Sequence, residues 1–211
     1  MLALAASTPG AYWYLTRGTG TVATILLTLS VALGVANVRR ICTRRVPRFV
    51  LLAIHRNASL LAVAFLIVHV ATSLLDADVP IRLLDVVVPF ATGYRTLWLG
   101  LGAVGLDLLV AIVITSLFRR RFGYRAWRRI HWASYAAWPF ALAHGLGMGS
   151  DTATGWMVGI VTGCVVVVVL ALAARLALGD GHRQRRRGPR DVALVRPGAR
   201  DHDVAPRPGN A

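Results

Sequence analysis

Four histidines lie inside apolar stretches: His55 and His69 bound HRNASLLAVAFLIVH, and His131 and His144 bound HWASYAAWPFALAH. An imidazole placed in lipid or between close-packed helices is costly unless it is hydrogen-bonded or ligates something. His55 and His69 are fourteen residues apart, and His131 and His144 thirteen. At a rise of about 1.5 Å per residue each separation is about 20 Å, so each helix carries one ring near either membrane face. If one span separates these two helices they run in the same direction, which sets His55 level with His131 and His69 level with His144. Two neutral imidazoles facing each other at one depth are the axial ligands of a six-coordinate haem iron, and the flat apolar macrocycle fits between helices of a bundle. Two such pairs imply two haems stacked across a bilayer. Zinc favours four ligands, commonly with cysteine or carboxylate, which neither level supplies. A histidine can also simply hydrogen-bond a neighbouring helix, so a structural role stays open for each ring.

The elements that must position these rings are membrane helices. Of the 211 residues 56% are hydrophobic, with a mean hydropathy of +0.59, and the apolar residues fall in runs of about 18 or more. Five runs qualify as spans: Thr21–Val38, Val50–Leu75, Leu97–Phe118, Ile130–Met148 and Thr154–Leu178. The expected fold is an all-α polytopic helix bundle of five transmembrane helices. It comprises an extracytoplasmic segment over 1–20, a haem-binding domain over 21–178 and a disordered Arg/Pro-rich cytoplasmic tail over 179–211. The opening MLALAASTPG lacks the positive lead of a secretory signal peptide, so the first span is expected to stay in the mature protein.

A net charge of +15 could point to nucleic acid, but all 24 basic residues are arginine and they follow the membrane topology. Arg39, Arg40, Arg44, Arg45 and Arg48 lie between spans one and two, and Arg119, Arg120, Arg121, Arg125, Arg128 and Arg129 between spans three and four. The other two loops hold Asp76, Asp78, Asp85 and Asp151 and little positive charge. The positive-inside rule then puts the N-terminus outside and the C-terminus in the cytoplasm of a multi-pass protein of the cell membrane. No nucleic-acid partner is expected. The tail arginines suit solvation, a topology signal or membrane lipid, and His182 and His202 read as plain tail residues. Cys42 and Cys164 would face opposite environments, so neither a disulfide nor a zinc site is expected.

Face geometry adds a constraint. Fourteen residues of straight helix return to within about 40° of the starting direction, but thirteen leave an error of about 140°. The second pair therefore requires a distortion, expected around Ala136–Pro139, where Pro139 removes a backbone hydrogen bond. Arg56, Arg128 and Arg129 flank the inner pair and Arg82, Arg95 and Arg17 the outer level, as candidates to bind haem propionates. Ala58, Ala62, Ala133, Ala137 and Ala141 keep the facing surfaces small, which suits a cofactor and ordinary helix packing alike. Trp98, Trp127, Trp132 and Trp138 suit cofactor lining or, for Trp127 and the Tyr12, Trp13, Tyr14 cluster, interfacial anchoring. Asp107, the one acid inside a span, must be protonated or paired, and could orient a histidine, relay a proton or bond a neighbouring helix.

The histidine pattern, H-x13-H and H-x12-H on two helices with one between, resembles the ferric reductase-like transmembrane domain. That family includes NADPH oxidases, ferric-chelate reductases and the haem-binding subunit of bacterial methionine sulfoxide reductase. The resemblance covers roughly residues 20 to 178. It implies a bis-histidine b-type cytochrome core that passes electrons one at a time across the membrane, with His55, His131, His69 and His144 as iron ligands. Many members have six helices, and here the first is expected to be missing. Neither G-x-G-x-x-G nor an α/β pattern occurs in the tail, so no flavin or NAD(P) site is expected in this chain. Electrons would then come from a separate flavoprotein or from membrane quinol, and leave to an extracytoplasmic acceptor. The expected class is an oxidoreductase or its electron-transfer subunit, in which the cofactor carries the redox chemistry. A transporter or proton relay built on the histidines and Asp107 is the alternative, although Leu60–Val68 has no polar residue to line a wet path. A scaffold docking through the tail leaves the matched imidazoles unexplained.

Overall fold

The computed structural model describes residues 10–38 and 47–187, with side chains through residue 177. Cys42, His202 and the remainder of the expected tail lie outside the described residues, as does the side chain of His182. The described chain is all helix: α1 (Ala11–Val38), α2 (Arg48–Leu75), α3 (Leu83–Val87), α4 (Thr96–Leu117), α5 (Arg119–His131), α6 (Ser134–Met148) and α7 (Gly155–Arg187). Four helices, α1, α2, α4 and the apolar part of α7, are long and apolar enough to cross a membrane. The chain is thus a multi-pass membrane protein, because in hydrocarbon only helices or closed barrels satisfy every backbone polar group.

Three sequence-based expectations need correcting. The fourth expected span, Ile130–Met148, is divided: its first two residues end α5, a turn follows at Trp132–Ala133, and α6 has 15 residues. At about 22 Å, α6 alone is shorter than the hydrocarbon core of about 30 Å. Residues 11–20 belong to α1 rather than to a separate segment, and α7 continues past Leu178 to Arg187, into the stretch expected to be disordered. Hydropathy located the apolar cores well, but helix propagation runs on through polar flanks that a hydropathy run excludes.

The distortion needed between His131 and His144 exists but lies before Pro139. Pro139 is inside α6, and the break falls at Trp132–Ala133, not at Ala136–Pro139. Ser134 Oγ donates to the His131 carbonyl at 2.8 Å, taking the acceptor that the next helical turn would use. The backbone tightens to i→i−3 bonds at Trp132, Ala133, Tyr135 and Ala136. A 3₁₀ step turns about 120° rather than 100°, so four such steps recover about 80° of the error and leave about 60°. The tightened turn that carries the Ser134 bond thus removes more than half of the mismatch.

The two helices in most extensive contact are α1 and α2, which run antiparallel. Small residues make the approach close: Ala23, Ala58 and Ala62 are buried in it, and Ser30–Ser59 (2.7 Å) and Thr16–Thr72 (2.9 Å) hydroxyls bond across it. This is how membrane helices associate where lipid leaves no hydrophobic drive between them. On the other side α6 packs on α4 and touches α1, where Trp138 Nε1 donates to Thr28 Oγ1 at 2.9 Å. α7 leans on α1.

Candidate functional site

α2 and the α5–α6 arm face each other with their histidines in register. The His55 and His131 ring centroids are 6.4 Å apart, and those of His69 and His144 6.3 Å. The rings expected to share a depth are therefore spatial neighbours. The ring planes are nearly perpendicular within each pair, at 76° and 89°. An iron held by both imidazoles at about 2 Å, with each centroid about 1.1 Å behind its nitrogen, would separate the centroids by about 6.2 Å. Among the described residues no three His, Cys, Asp or Glu side chains cluster as a metal site, so each pair offers two donors and no more.

Backbone carbonyls orient three of the four rings. His55 Nδ1 donates to the Ser30 carbonyl (3.0 Å), His69 Nδ1 to Thr16 (2.8 Å) and His144 Nδ1 to Trp98 (2.9 Å). With the proton on Nδ1, each Nε2 keeps its lone pair for a ligand, and the bond fixes both tautomer and ring direction.

Each accepting residue is followed four places later by glycine: Gly20 after Thr16, Gly34 after Ser30, Gly102 after Trp98. In a helix the side chain at i+4 lies over the carbonyl of residue i, because Cβ tilts toward the N-terminus. A Cβ on Gly20 would come within 2.9 Å of the His69 ring, one on Gly102 within 2.7 Å of His144 Cε1, and one on Gly34 within 3.6 Å of His55 Cε1. Glycine leaves the ring its place over the carbonyl. This signal was present in the sequence, since Gly20 and Gly34 repeat the fourteen-residue spacing of His55 and His69.

Around the His69–His144 pair lies a cleft with about 1370 Å³ of empty space, its open mouth included, reaching from Asp76, Asp85 and Tyr94 to Leu27 and Leu109. Apolar side chains such as Leu66, Leu99 and Leu106 form its walls, and His69 and His144 face into it. Arg17 and Arg95 line it as well. Arg17 is held by Asp151 (2.6 Å) and Ser150 (2.7 Å), and Arg95 by the Gly147 carbonyl (2.7 Å).

The family model described as ferric reductase like transmembrane component matches residues 19–142. The chain belongs to this family. The ferric reductase-like match takes in His55, His69 and His131 and stops two residues before His144. Comparison with curated proteins and with solved structures gives no match.

Other expected residues of this ferric reductase-like domain are placed unequally. Arg82 lies outside the outer cleft, 74% exposed and paired with Asp85 at 3.6 Å. Arg56, Arg128 and Arg129 are exposed, and the last two join Arg125 and Trp132 around an open recess on α5. Asp107 is exposed on α4, does not line the cleft, and makes no hydrogen bond or ion pair among the described residues, so it orients none of the histidines. Ala58, Ala62 and Ala137 are buried. Arg175, deep in the last apolar run, was passed over by sequence reasoning; it lies 4.3 Å over the Trp132 ring and bonds the Tyr135 hydroxyl, bracing the turn after His131. Trp127, expected as an interfacial anchor, stacks on His131 at 5.0 Å.

Proposed function

We propose that this ferric reductase-like chain is a transmembrane electron conduit holding two b-type haems, one between His55 and His131 and one between His69 and His144. The observation that carries the reading is the pair of imidazole separations, 6.4 and 6.3 Å, both close to the spacing that one shared iron would set. Such a haem supplies one-electron exchange between ferric and ferrous iron. The chain's residues do the rest. Ser30, Thr16 and Trp98 carbonyls aim Nε2 of their histidines at the gap, apolar walls exclude water from it, and Arg17 and Arg95 offer guanidinium groups to outer carboxylates.

In this reading α6 and the preceding turn make a fifth crossing, so α2 and α6 run in one direction. The N-terminus lies outside and the arginine-rich α5 lies at the cytoplasmic face of the cell membrane. Electrons enter near α5, from a flavoprotein or quinol, and leave through the outer cleft to an acceptor outside. The cationic recess of Arg125, Arg128 and Arg129 favours an acidic donor surface there.

A reduced-minus-oxidised spectrum of the purified chain, with haem quantified, tests this directly. Two b-type haems per chain are expected; none would sink the proposal, and one would sink its two-site form. The proton-relay alternative makes a separate demand on Asp107. Asp107→Asn is expected to leave both haems at full occupancy and the spectrum unchanged, because the side chain faces away from the cleft.

A further inference from the structure

We propose that Trp127 is the positioning residue of His131, doing by ring stacking what a backbone carbonyl does for the other three histidines; the inference rests on the two-haem reading. His131 differs from its counterparts. Its Nδ1 is buried and has no hydrogen-bond partner among the described residues, whereas His55, His69 and His144 each donate to a carbonyl at 2.8 to 3.0 Å. It is also the last residue of α5, a helix with no buried residue and with a break at Gly123 (φ 76°). Nothing in its own backbone holds the ring.

The side chain one turn earlier does. The Trp127 indole lies 5.0 Å from the His131 ring at an interplanar angle of 27°, a stacked arrangement. Residues four apart share a helix face, so the contact follows from the sequence spacing WRRIH. The indole is itself tied to the bundle: Nε1 donates to Ser116 Oγ on α4 at 3.2 Å. Tyr124 lies against its ring at 5.6 Å and the Arg119 guanidinium 5.5 Å over it. The chain of support thus runs from α4 through Ser116 and Trp127 to the histidine, and a flat indole fixes a ring plane while leaving Nε2 free.

Stacking restrains a ring less directionally than a hydrogen bond, so the inner site depends on Trp127 and the outer site does not. Removing an outer-shell support of a metal-bound histidine typically weakens the site about 10- to 100-fold. The experiment uses the full haem-loaded chain in detergent and compares wild type, Trp127→Ala, Trp127→Phe and Ser116→Ala. It measures the rate of haem transfer to apomyoglobin and the two midpoint potentials.

In Trp127→Ala the inner haem should leave about 10-fold faster, with the outer haem at its wild-type rate and potential. Trp127→Phe, which keeps a stacked ring, should restore the inner rate to within about 3-fold. Ser116→Ala should move the inner midpoint alone. Wild-type inner kinetics and potential in Trp127→Ala would overturn the proposal. So would an unmoved inner midpoint in Ser116→Ala, which settles the matter if the alanine variant loses both haems by misfolding. A wild-type chain without any b-type haem would instead defeat the underlying reading.

Discussion

Loss of the outer haem with retention of the inner one is the expected result of replacing either His69 or His144 by alanine. Haem content should fall from about two per chain to about one, because a bis-histidine iron that loses one axial ligand loses half of its protein bonds. The same loss from two variants on different helices is the point of the experiment, since His69 is on α2 and His144 on α6. His55→Ala and His131→Ala should form the complementary pair and remove the inner haem. Haem quantification with a resolved spectrum for each variant provides the check. Were His69→Ala and His131→Ala to lose the same haem, the pairing by depth would be wrong despite the 6.3 Å separation of His69 and His144.

The second large effect is expected at glycines. Gly102→Ala should abolish or strongly deplete the outer haem, although alanine is worth about 1 kcal/mol more than glycine in a helix interior. The added methyl would lie within 2.9 Å of His144 Cγ and closer still to Nδ1, and relieving such overpacking costs about 1–3 kcal/mol through a shift of the ring itself. Gly20→Ala presses on His69 at 2.9 Å and should weaken the same haem to a lesser degree. Gly34→Ala meets His55 at 3.6 Å, ordinary contact, and should be tolerated. Gly145→Ala, beside His144 in sequence but with nothing within 4 Å of its methyl, is the control for helix propensity. Occupancy that followed propensity rather than this graded order would show that the rings do not occupy the places described.

The bundle and the candidate site were legible to different depths. Long apolar runs and clustered arginines suffice for a multi-pass helical protein, because lipid permits few alternatives. Helix periodicity and parity suffice for the histidine pairing, since rise per residue converts sequence spacing into depth. The need for a distortion before His144 followed from the same arithmetic. Its place did not, because the arithmetic counts residues and is blind to which hydroxyl takes which carbonyl. Ser134 on the His131 carbonyl is a side-chain choice, and it accompanies the break at Trp132–Ala133 that leaves α6 as the remainder of the expected fourth span.

Asp107 marks the same boundary. A carboxyl within an apolar run reads as buried and paired, yet a difference of 100° per residue decides which face of α4 it takes, and here it is exposed. By itself, the sequence determined the long apolar helices, their order and the spacing of the four imidazoles along them, which depend on backbone rise and lipid solvation. Only the tertiary structure decided what stands behind each ring: a carbonyl and a glycine for His55, His69 and His144, and an indole for His131. The carbonyls and glycines lie on other helices, where rotation and packing at the scale of an ångström choose them; the indole shares α5 with His131, but only packing decides that it stacks on the ring.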